Sequence, residues 1–175
     1  KKRDVEANGT AGAATKVTRA VMAYDAARDK IVLFGGEFTD PSTSAWTSYL
    51  TTYTWNPATS AWALVSPANS PVAGAGGQLA YDVPRQVLVY YGGYRWINPA
   101  GTREYLNGTW EWNGTNWVDK NPAANPGNRA GNGLAYDASR QVTVLFGGVA
   151  GGTGNTLWEW NGTNWTQRSP AGSLP

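Results

Sequence analysis

The sequence predicts an all-β fold in which repeated four-stranded units are arranged as the blades of a β-propeller. Three copies of one pattern carry this prediction: Ala-Tyr-Asp, then a short apolar strand ending in Gly-Gly, then a tryptophan hairpin. The tyrosines of the pattern, Tyr24, Tyr81 and Tyr136, recur at intervals of 57 and 55 residues, and each precedes its Gly-Gly pair by 11 residues. A period near 50 residues made of short strands is typical of a propeller blade.

The first strand of each repeat is a run of small residues that ends in Tyr-Asp, as in 131–136. Small side chains suit a strand near a crowded axis, where neighbouring backbones approach closely. The aspartate opens a turn, and an arginine follows it by three residues, at Arg28, Arg85 and Arg140. We interpret each Asp–Arg pair as a surface ion pair of the turn, worth at most about 1 kcal/mol.

The second strand is a continuous apolar run, such as 31–34. Such a run predicts a strand that is covered on both faces, as it would be between neighbouring blades. The Gly-Gly that ends it allows backbone angles that other residues resist. A glycine-rich phosphate loop is excluded because the residues that complete such a motif do not follow.

The third and fourth strands form a hairpin, seen in the matching segments 110–117 and 158–165. Each contains Asn-Gly, which favours a tight hairpin turn because both residues tolerate positive φ. Regular repetition predicts that these tryptophans pack the blades rather than stack on sugars, since each ring buries about 150–250 Å². For the same reason we interpret Glu111 and Glu159 as hydrogen-bond partners between blades, not as a catalytic pair. The predicted core tryptophans are Trp55, Trp62, Trp112, Trp117, Trp160 and Trp165.

The composition excludes several classes of function. The 175 residues include no cysteine and no histidine, so disulfides, thiolate catalysis, Ser-His-Asp triads and the usual zinc sites lack their residues. A net charge of +2 is too small to indicate nucleic-acid binding, and no stretch approaches the ~20 apolar residues that cross a bilayer. We expect no cofactor, no metal, no nucleic acid, no membrane span and no enzymatic activity. The alternative of a glycoside hydrolase is supported only by scattered carboxylates.

The shared features of these repeats resemble the kelch-repeat family: an apolar strand ending in Gly-Gly, an aromatic residue in the third strand, and a tryptophan about six residues later. The resemblance covers residues 17–170 and is greatest to kelch repeats of secreted bacterial proteins. It implies a binding or scaffolding module, secreted or at a cell surface. The first-strand signature of many members, Arg-x-Gly-His, is partly matched by 129–132. An enzymatic branch similar to galactose oxidase uses a copper site of Tyr, His and Cys, which this chain cannot supply.

The repeats divide the chain into an N-terminal arm (1–16), three blades (17–70, 71–125 and 126–170) and a tail (171–175). A propeller normally closes with four to eight blades, so three leave an open half-ring whose apolar faces invite pairing. Two alternatives remain open: two chains combine into a six-bladed ring, which we favour, or the chain is one piece of a longer propeller.

The connections between the second and third strands hold aromatic and arginine residues that lie outside the repeated positions. Loops are the usual place for binding residues in such folds, and Trp, Tyr and Arg are enriched at interaction hot spots. An equal alternative is that these side chains cover a neighbouring loop or the seam between chains. The candidate ligand-binding residues are Phe38, Trp46, Tyr49, Tyr94, Arg95, Trp96, Arg103 and Tyr105.

These observations predict a non-catalytic module that binds protein or polysaccharide and self-assembles as a homo-oligomer, a dimer of half-propellers. One alternative is a structural subunit of an extracellular ring or filament. Another is a fragment of a larger secreted kelch protein with carbohydrate-related activity. Fold alone does not decide among them.

Overall fold

The computed structural model describes residues 17–97, 101–149 and 154–169. In these residues the chain is all-β, with sixteen strands and no helix. No helix there is therefore long enough to cross a membrane. The predicted arm (1–16), the predicted tail (171–175) and residue 170 lie outside the described residues.

Twelve of the strands form three four-stranded antiparallel sheets, and the other four form two short ribbons. The all-β prediction and its four-stranded repeat units are thus confirmed. In chain order the strands are β1 (Val21–Asp25), β2 (Lys30–Phe34), β3 (Glu37–Thr39), β4 (Trp46–Ser48), β5 (Thr52–Asn56), β6 (Ala61–Val65), β7 (Gln78–Asp82), β8 (Val87–Tyr91), β9 (Tyr94–Trp96), β10 (Arg103–Tyr105), β11 (Thr109–Trp112), β12 (Trp117–Asp119), β13 (Gly133–Asp137), β14 (Val142–Phe146), β15 (Leu157–Trp160) and β16 (Trp165–Arg168).

Each sheet follows the chain as a meander. Sheet one has the strand order β1-β2-β5-β6, sheet two β7-β8-β11-β12 and sheet three β13-β14-β15-β16. The ribbons are β3 with β4 and β9 with β10, and each joins the second and third strands of its sheet. The first strands β1, β7 and β13 lie next to one another. This succession of sheets around a shared inner edge is compatible with a β-propeller.

The Gly-Gly pairs of the first two repeats are required by the close approach of the chain that enters the next sheet. Gly35 has a φ of +73°, and a Cβ there would lie 2.0 Å from the carbonyl oxygen of Gly74. Gly92, at the same position of the second repeat, has a φ of +74°, and its Cβ would lie 2.4 Å from the carbonyl oxygen of Arg129. A side chain at either position would push the two backbones apart.

The core lies between the sheets and is built from the same repeat positions twice. Between sheets one and two, the Phe34 ring lies 5.3 Å from that of Tyr90 and 5.2 Å from that of Trp117, measured between centroids. Between sheets two and three, the Tyr91 ring lies 5.1 Å from that of Trp165. The first core comprises Val32, Phe34, Leu88, Tyr90, Trp112 and Trp117, and the second Val89, Tyr91, Leu145, Trp160 and Trp165.

A hydrogen bond from a tryptophan joins each pair of sheets. The Trp117 Nε1–H donates to Thr52 Oγ1 at 2.9 Å, and the Trp165 Nε1–H donates to Thr109 Oγ1 at 2.9 Å. The two bonds occupy equivalent positions of successive repeats. They satisfy indole groups that are otherwise buried among apolar side chains, where an unpaired donor is costly.

The middle sheet alone matches the prediction of a second strand covered on both faces. In β8, the four residues from Leu88 to Tyr91 are all buried. In β2, Val32 and Phe34 are buried, whereas Ile31 and Leu33 are half-buried. The prediction is therefore wrong for sheets one and three, because a described sheet lies against only one face of each.

The lack of a described sheet on one face also makes the prediction wrong for two tryptophans. Trp112, Trp117, Trp160 and Trp165 are at most 1% exposed, as predicted. Trp55 and Trp62 occupy the equivalent positions of sheet one but are only half-buried. Their rings pack on each other with centroids 5.5 Å apart, and no described sheet covers them.

The Asp–Arg pairs form as predicted, but two of them are not on the surface. Asp25 and Asp82 are 0% and 2% exposed, because the next sheet covers their turns. The carboxylate of Asp82 lies 2.7 Å from Arg85, which also pairs with Glu111. The third aspartate, Asp137, stays partly exposed, and hydrogen bonds from Arg140 lower its pKa.

We expect Thr109→Val to destabilise the fold by about 1–3 kcal/mol, because it leaves the buried Trp165 indole N–H without an acceptor. Thr47→Val is the matched control, since Thr47 is an exposed strand residue of β4, outside the three four-stranded sheets. Urea unfolding followed by tryptophan fluorescence measures both. Equal unfolding midpoints for the two variants would contradict this account of the sheet contact.

Candidate ligand-binding site

The long connections of the first two repeats are ordered ribbons that lie side by side. Strand β4 lies next to β9, and the backbone N–H of Trp96 donates to Ser48 Oγ at 3.2 Å. Within the ribbons, Thr39 faces Trp46, and Trp96 faces Arg103. Side chains that the sequence separates by about 50 residues therefore share one surface.

Two tryptophan rings and an arginine form the centre of this surface. The rings of Trp46 and Trp96 stack with centroids 4.5 Å apart and planes inclined by 29°. The guanidinium carbon of Arg103 lies 4.5 Å from the centroid of Trp96 and 4.7 Å from that of Tyr94, which is cation–π distance. We call Trp46, Tyr94, Trp96, Arg103 and Tyr105 the aromatic–arginine cluster.

A buried carboxylate holds the cluster in place. Glu37, the first residue after Gly-Gly, is 0% exposed. Its Oε2 accepts hydrogen bonds from the Tyr94 hydroxyl at 2.8 Å and from the Trp96 Nε1–H at 2.7 Å. Its Oε1 accepts a hydrogen bond from Arg19. Because a buried charge needs a partner and satisfied lone pairs, these donors are what make Glu37 tolerable there.

Burial and the contact with Glu37 also change the acidity of the tyrosine. Both raise the pKa of Tyr94, with burial the larger cause. The Tyr94 hydroxyl therefore remains a proton donor to Glu37 above the usual pKa of tyrosine, about 10.

Arg19 adopts an unusual backbone conformation in order to reach Glu37. Its φ is +56°, whereas the equivalent positions of the other repeats are Gly76 and Gly131, with φ of +70° and +66°. A left-handed conformation costs a residue with a side chain about 1–2 kcal/mol. Arg19 also donates to the Tyr94 hydroxyl at 3.0 Å, and its bond to Glu37, followed by that to Tyr94, raises its pKa. The contact with Glu37 explains why an arginine stands where the repeat favours glycine.

Arg103 differs from Arg95, the other arginine of the two ribbons. Among the described residues it forms no ion pair with a carboxylate, and its Nε is buried without a hydrogen-bond partner. Its neighbour Arg95 points to the other face of β9 and pairs with Glu104 at 2.6 Å. Arg103 therefore places a cation without a carboxylate partner among the described residues beside aromatic faces.

The structure brings five of the eight predicted residues together, as the aromatic–arginine cluster. It does not bring Arg95, Phe38 or Tyr49 to them. Phe38 pairs with Thr47 across the first ribbon, on the face opposite Glu37. Tyr49 follows β4, where its backbone N–H donates to the carbonyl of Gly36 at 2.9 Å.

Sequence reasoning missed the two residues that hold the cluster, Arg19 and Glu37. A signal for both was present in the alignment of the repeats. Arg19 replaces a glycine of the other copies, and Glu37 takes the position of Tyr94 and Val149 directly after Gly-Gly. A charged residue at a position that otherwise serves packing is a mark of a special contact.

The chemistry of the cluster is that of contact rather than of proton transfer. The one carboxylate beneath it is saturated by three donors, so it is not placed to act as a base. In the described ranges no three acidic side chains lie together as metal ligands would. The cluster can stack on flat or apolar groups and can donate hydrogen bonds from Arg103.

Comparison with known proteins shows a similar fold but no family. The structure of YjhT matches with a TM-score of 0.66 and 14% sequence identity over 90% of this chain. This chain spans about half the length of YjhT, 53%. At such low identity the likeness shows the fold alone. No protein-family model matches the sequence, and no curated protein matches it.

We expect Arg19→Gly to destabilise the protein by about 1–2 kcal/mol, because removing the half-exposed arginine costs more than the relief of backbone strain returns. In the double variant Arg19→Gly/Glu37→Gln the cost should be smaller than the sum of the single costs, since no charge is then left unpaired. Urea unfolding of the four proteins measures the coupling. Strictly additive costs would contradict the role given to Glu37.

Proposed function

We propose that this chain is a non-catalytic β-propeller module of the kelch type that binds a protein or a polysaccharide through the aromatic–arginine cluster. The observation that carries the proposal is the stacked pair Trp46 and Trp96 beside Arg103, an arginine with no carboxylate partner among the described residues. Trp, Tyr and Arg are the residues that most often dominate binding energy at interfaces.

The two large cores between the sheets include no residue of this cluster. Tyr94 belongs to a third, small core with Ala75 and Ala130, against which Trp96 and Tyr105 pack, whereas Trp46 and Arg103 lie outside all three cores. The third repeat forms its sheet with a connection of 12 residues from Gly148 to Trp160, compared with 19 in each of the other repeats. A four-stranded sheet of this repeat therefore forms without a connection of 19 residues, and Trp46 and Arg103 are additions of the longer connections.

The residues of the cluster divide into support and contact. Glu37 and Tyr94 are buried: Glu37 accepts a hydrogen bond from the Trp96 indole N–H, and Tyr94 donates to Glu37 and packs edge-on against the Trp96 ring. Trp46, Trp96 and Arg103 are half-buried and keep part of their surface accessible. A contact surface held rigid in this way loses little conformational entropy when a ligand binds.

The resemblance to kelch repeats of secreted bacterial proteins supports an extracellular or cell-surface location. The propeller arrangement is supported by three successive four-stranded sheets with adjacent first strands. We propose that two such half-propellers complete a six-bladed ring, with the cluster as its ligand surface.

We expect Trp46→Ala and Arg103→Ala to weaken ligand binding by at least about tenfold, the usual effect of truncating a hot-spot residue. Arg95→Ala is the matched control, because Arg95 lies on the other face of the same ribbon and pairs with Glu104. Arrays of neutral and acidic polysaccharides and of peptides provide the probes. The proposal fails if both variants bind every probe as the wild-type chain does.

A second candidate function is that of a structural subunit of a ring or filament. It is favoured by the half-buried apolar side chains on the outer faces of sheets one and three, among them Trp55, Trp62 and Phe146. Electron microscopy of the purified chain distinguishes extended filaments from discrete particles, and only filaments favour this second function.

A further inference from the structure

We propose that the outer faces of sheets one and three bind each other in a second copy of the chain, and that Glu159 of one copy accepts the indole N–H of Trp55 of the other. This deepens the proposed function by naming the partner and the contacts between the two copies. We call the contact of sheet three of one copy with sheet one of the other the seam. The proposal rests on the propeller arrangement but not on the ligand. The two contacts between sheets within one chain serve as templates for this contact between two chains.

The outer face of sheet one is a continuous apolar surface. The registers of β1 with β2, of β2 with β5 and of β5 with β6 place eight large side chains on that face. Three of them, Met22, Tyr24 and Leu64, are more than half exposed. A contiguous surface of this kind marks a docking site rather than a solvated face. Its residues are Met22, Tyr24, Ile31, Leu33, Tyr53, Trp55, Trp62 and Leu64.

Sheet three, the last of the described sheets, carries the complementary face. Val144 and Phe146 stand at the repeat positions of Val32 and Phe34, which cover sheet two, and of Val89 and Tyr91, which cover sheet three. Val32, Phe34, Val89 and Tyr91 are all fully buried. Val144 and Phe146 are half-buried, because no described sheet lies against them. The equivalent faces of sheets one and two each cover the next sheet, whereas no described sheet lies against this face of sheet three.

A polar contact between sheets two and three shows what the seam would contain. Glu111, on the face of sheet two that meets sheet three, pairs with Arg85 and Lys120 of its own sheet. Its third partner comes from the next sheet, where the Trp160 Nε1–H donates to Oε1 at 3.0 Å. One bond between the sheets thus ends on a carboxylate held by two cations.

Glu159 repeats this arrangement except for the third partner. It lies on the outer face of sheet three and pairs with Arg140 and Arg168, which occupy the positions of Arg85 and Lys120. Trp55 occupies in sheet one the position that Trp160 occupies in sheet three. A second copy whose sheet one lies on this face therefore brings a tryptophan N–H to a carboxylate already in place.

The seam lacks two features of the internal contacts, so we expect it to be weaker and reversible. Leu157 stands where Thr52 and Thr109 accept an indole N–H, so Trp62 gains no acceptor there. Pro57 stands where Gly114 admits Arg28 of the preceding sheet at very close range. Because this hydroxyl is missing, a substitution that introduces one at position 157 should make the two copies bind more tightly.

Two copies are sufficient to close the arrangement. The match covers 90% of this chain and 53% of YjhT, so two copies of this chain have about the length of one YjhT chain. A dimer with twofold symmetry contains the seam twice, from sheet three of each copy to sheet one of the other. We therefore infer a closed dimer, not a chain of subunits.

The experiment is sedimentation velocity of the full chain over a wide range of concentration. The wild-type protein should show a reversible equilibrium between a species of 18.7 kDa and one of twice that mass. Leu157→Thr should lower the dimer dissociation constant by about tenfold, since each of the two seams gains a hydrogen bond. Leu157→Val is the matched control, because valine has the shape of threonine but no hydroxyl. It should leave the dissociation constant close to that of the wild type.

Two further variants weaken the seam. Trp55→Phe keeps an aromatic ring but removes the N–H that Glu159 would accept, and it should raise the dissociation constant severalfold. Phe146→Asp places a charge on the outer face and should give a monomer. Circular dichroism and tryptophan fluorescence confirm that each variant is folded.

The proposal is overturned if the wild type and Leu157→Thr remain monomeric at every concentration, as expected if only further repeats of a longer chain cover these faces. It is also overturned by assemblies that grow beyond the dimer, or by a dimer that responds equally to the threonine and valine variants. Folded Phe146→Asp is then tested on the polysaccharide and peptide arrays. Binding by this monomer would show that ligand binding does not require the seam, so the two proposals can fail separately.

Discussion

Each four-stranded sheet of this chain depends on a second sheet to cover its apolar faces. The middle sheet shows the complete case, with β8 buried on both sides and with tryptophan N–H groups bonded across both contacts. Because a sheet of short strands buries little within itself, the stability of the fold lies mainly between the sheets. The half-buried outer faces of sheets one and three follow from this same constraint.

The strands of the three sheets pack against one another, so the proposed ligand contacts lie on the two ribbons. Their position is fixed by Glu37, which joins Arg19 from the start of sheet one to Tyr94 and Trp96 from the second repeat. The left-handed backbone of Arg19 shows that the fold accepts local strain to keep that carboxylate paired. The cluster is thus held by hydrogen bonds on its buried side and is half-buried on the side where we propose that a ligand binds.

The repeats predicted the four-stranded units, their hairpins and the pairing of aspartate with arginine, since all of these follow from residues close in sequence. They did not predict that Trp55 and Trp62 would be half-buried, because a repeat pattern is the same whether or not a neighbour covers the face. The burial of Asp25 and the contact of Glu37 with Trp96 were missed for a related reason. Both depend on residues more than 50 positions away, whose approach only the stacking of the sheets decides.

Hydrogen exchange of the individual indole N–H groups, followed by NMR in dilute protein, tests the central claim most directly. If the sheets cover one another as described, Trp117, Trp160 and Trp165 exchange slowly, because each N–H is buried and bonded to the preceding sheet. Trp55 and Trp62, at the same repeat positions, exchange much faster. Equal exchange at all five positions would contradict the account, since burial of these rings would then not depend on a neighbouring sheet.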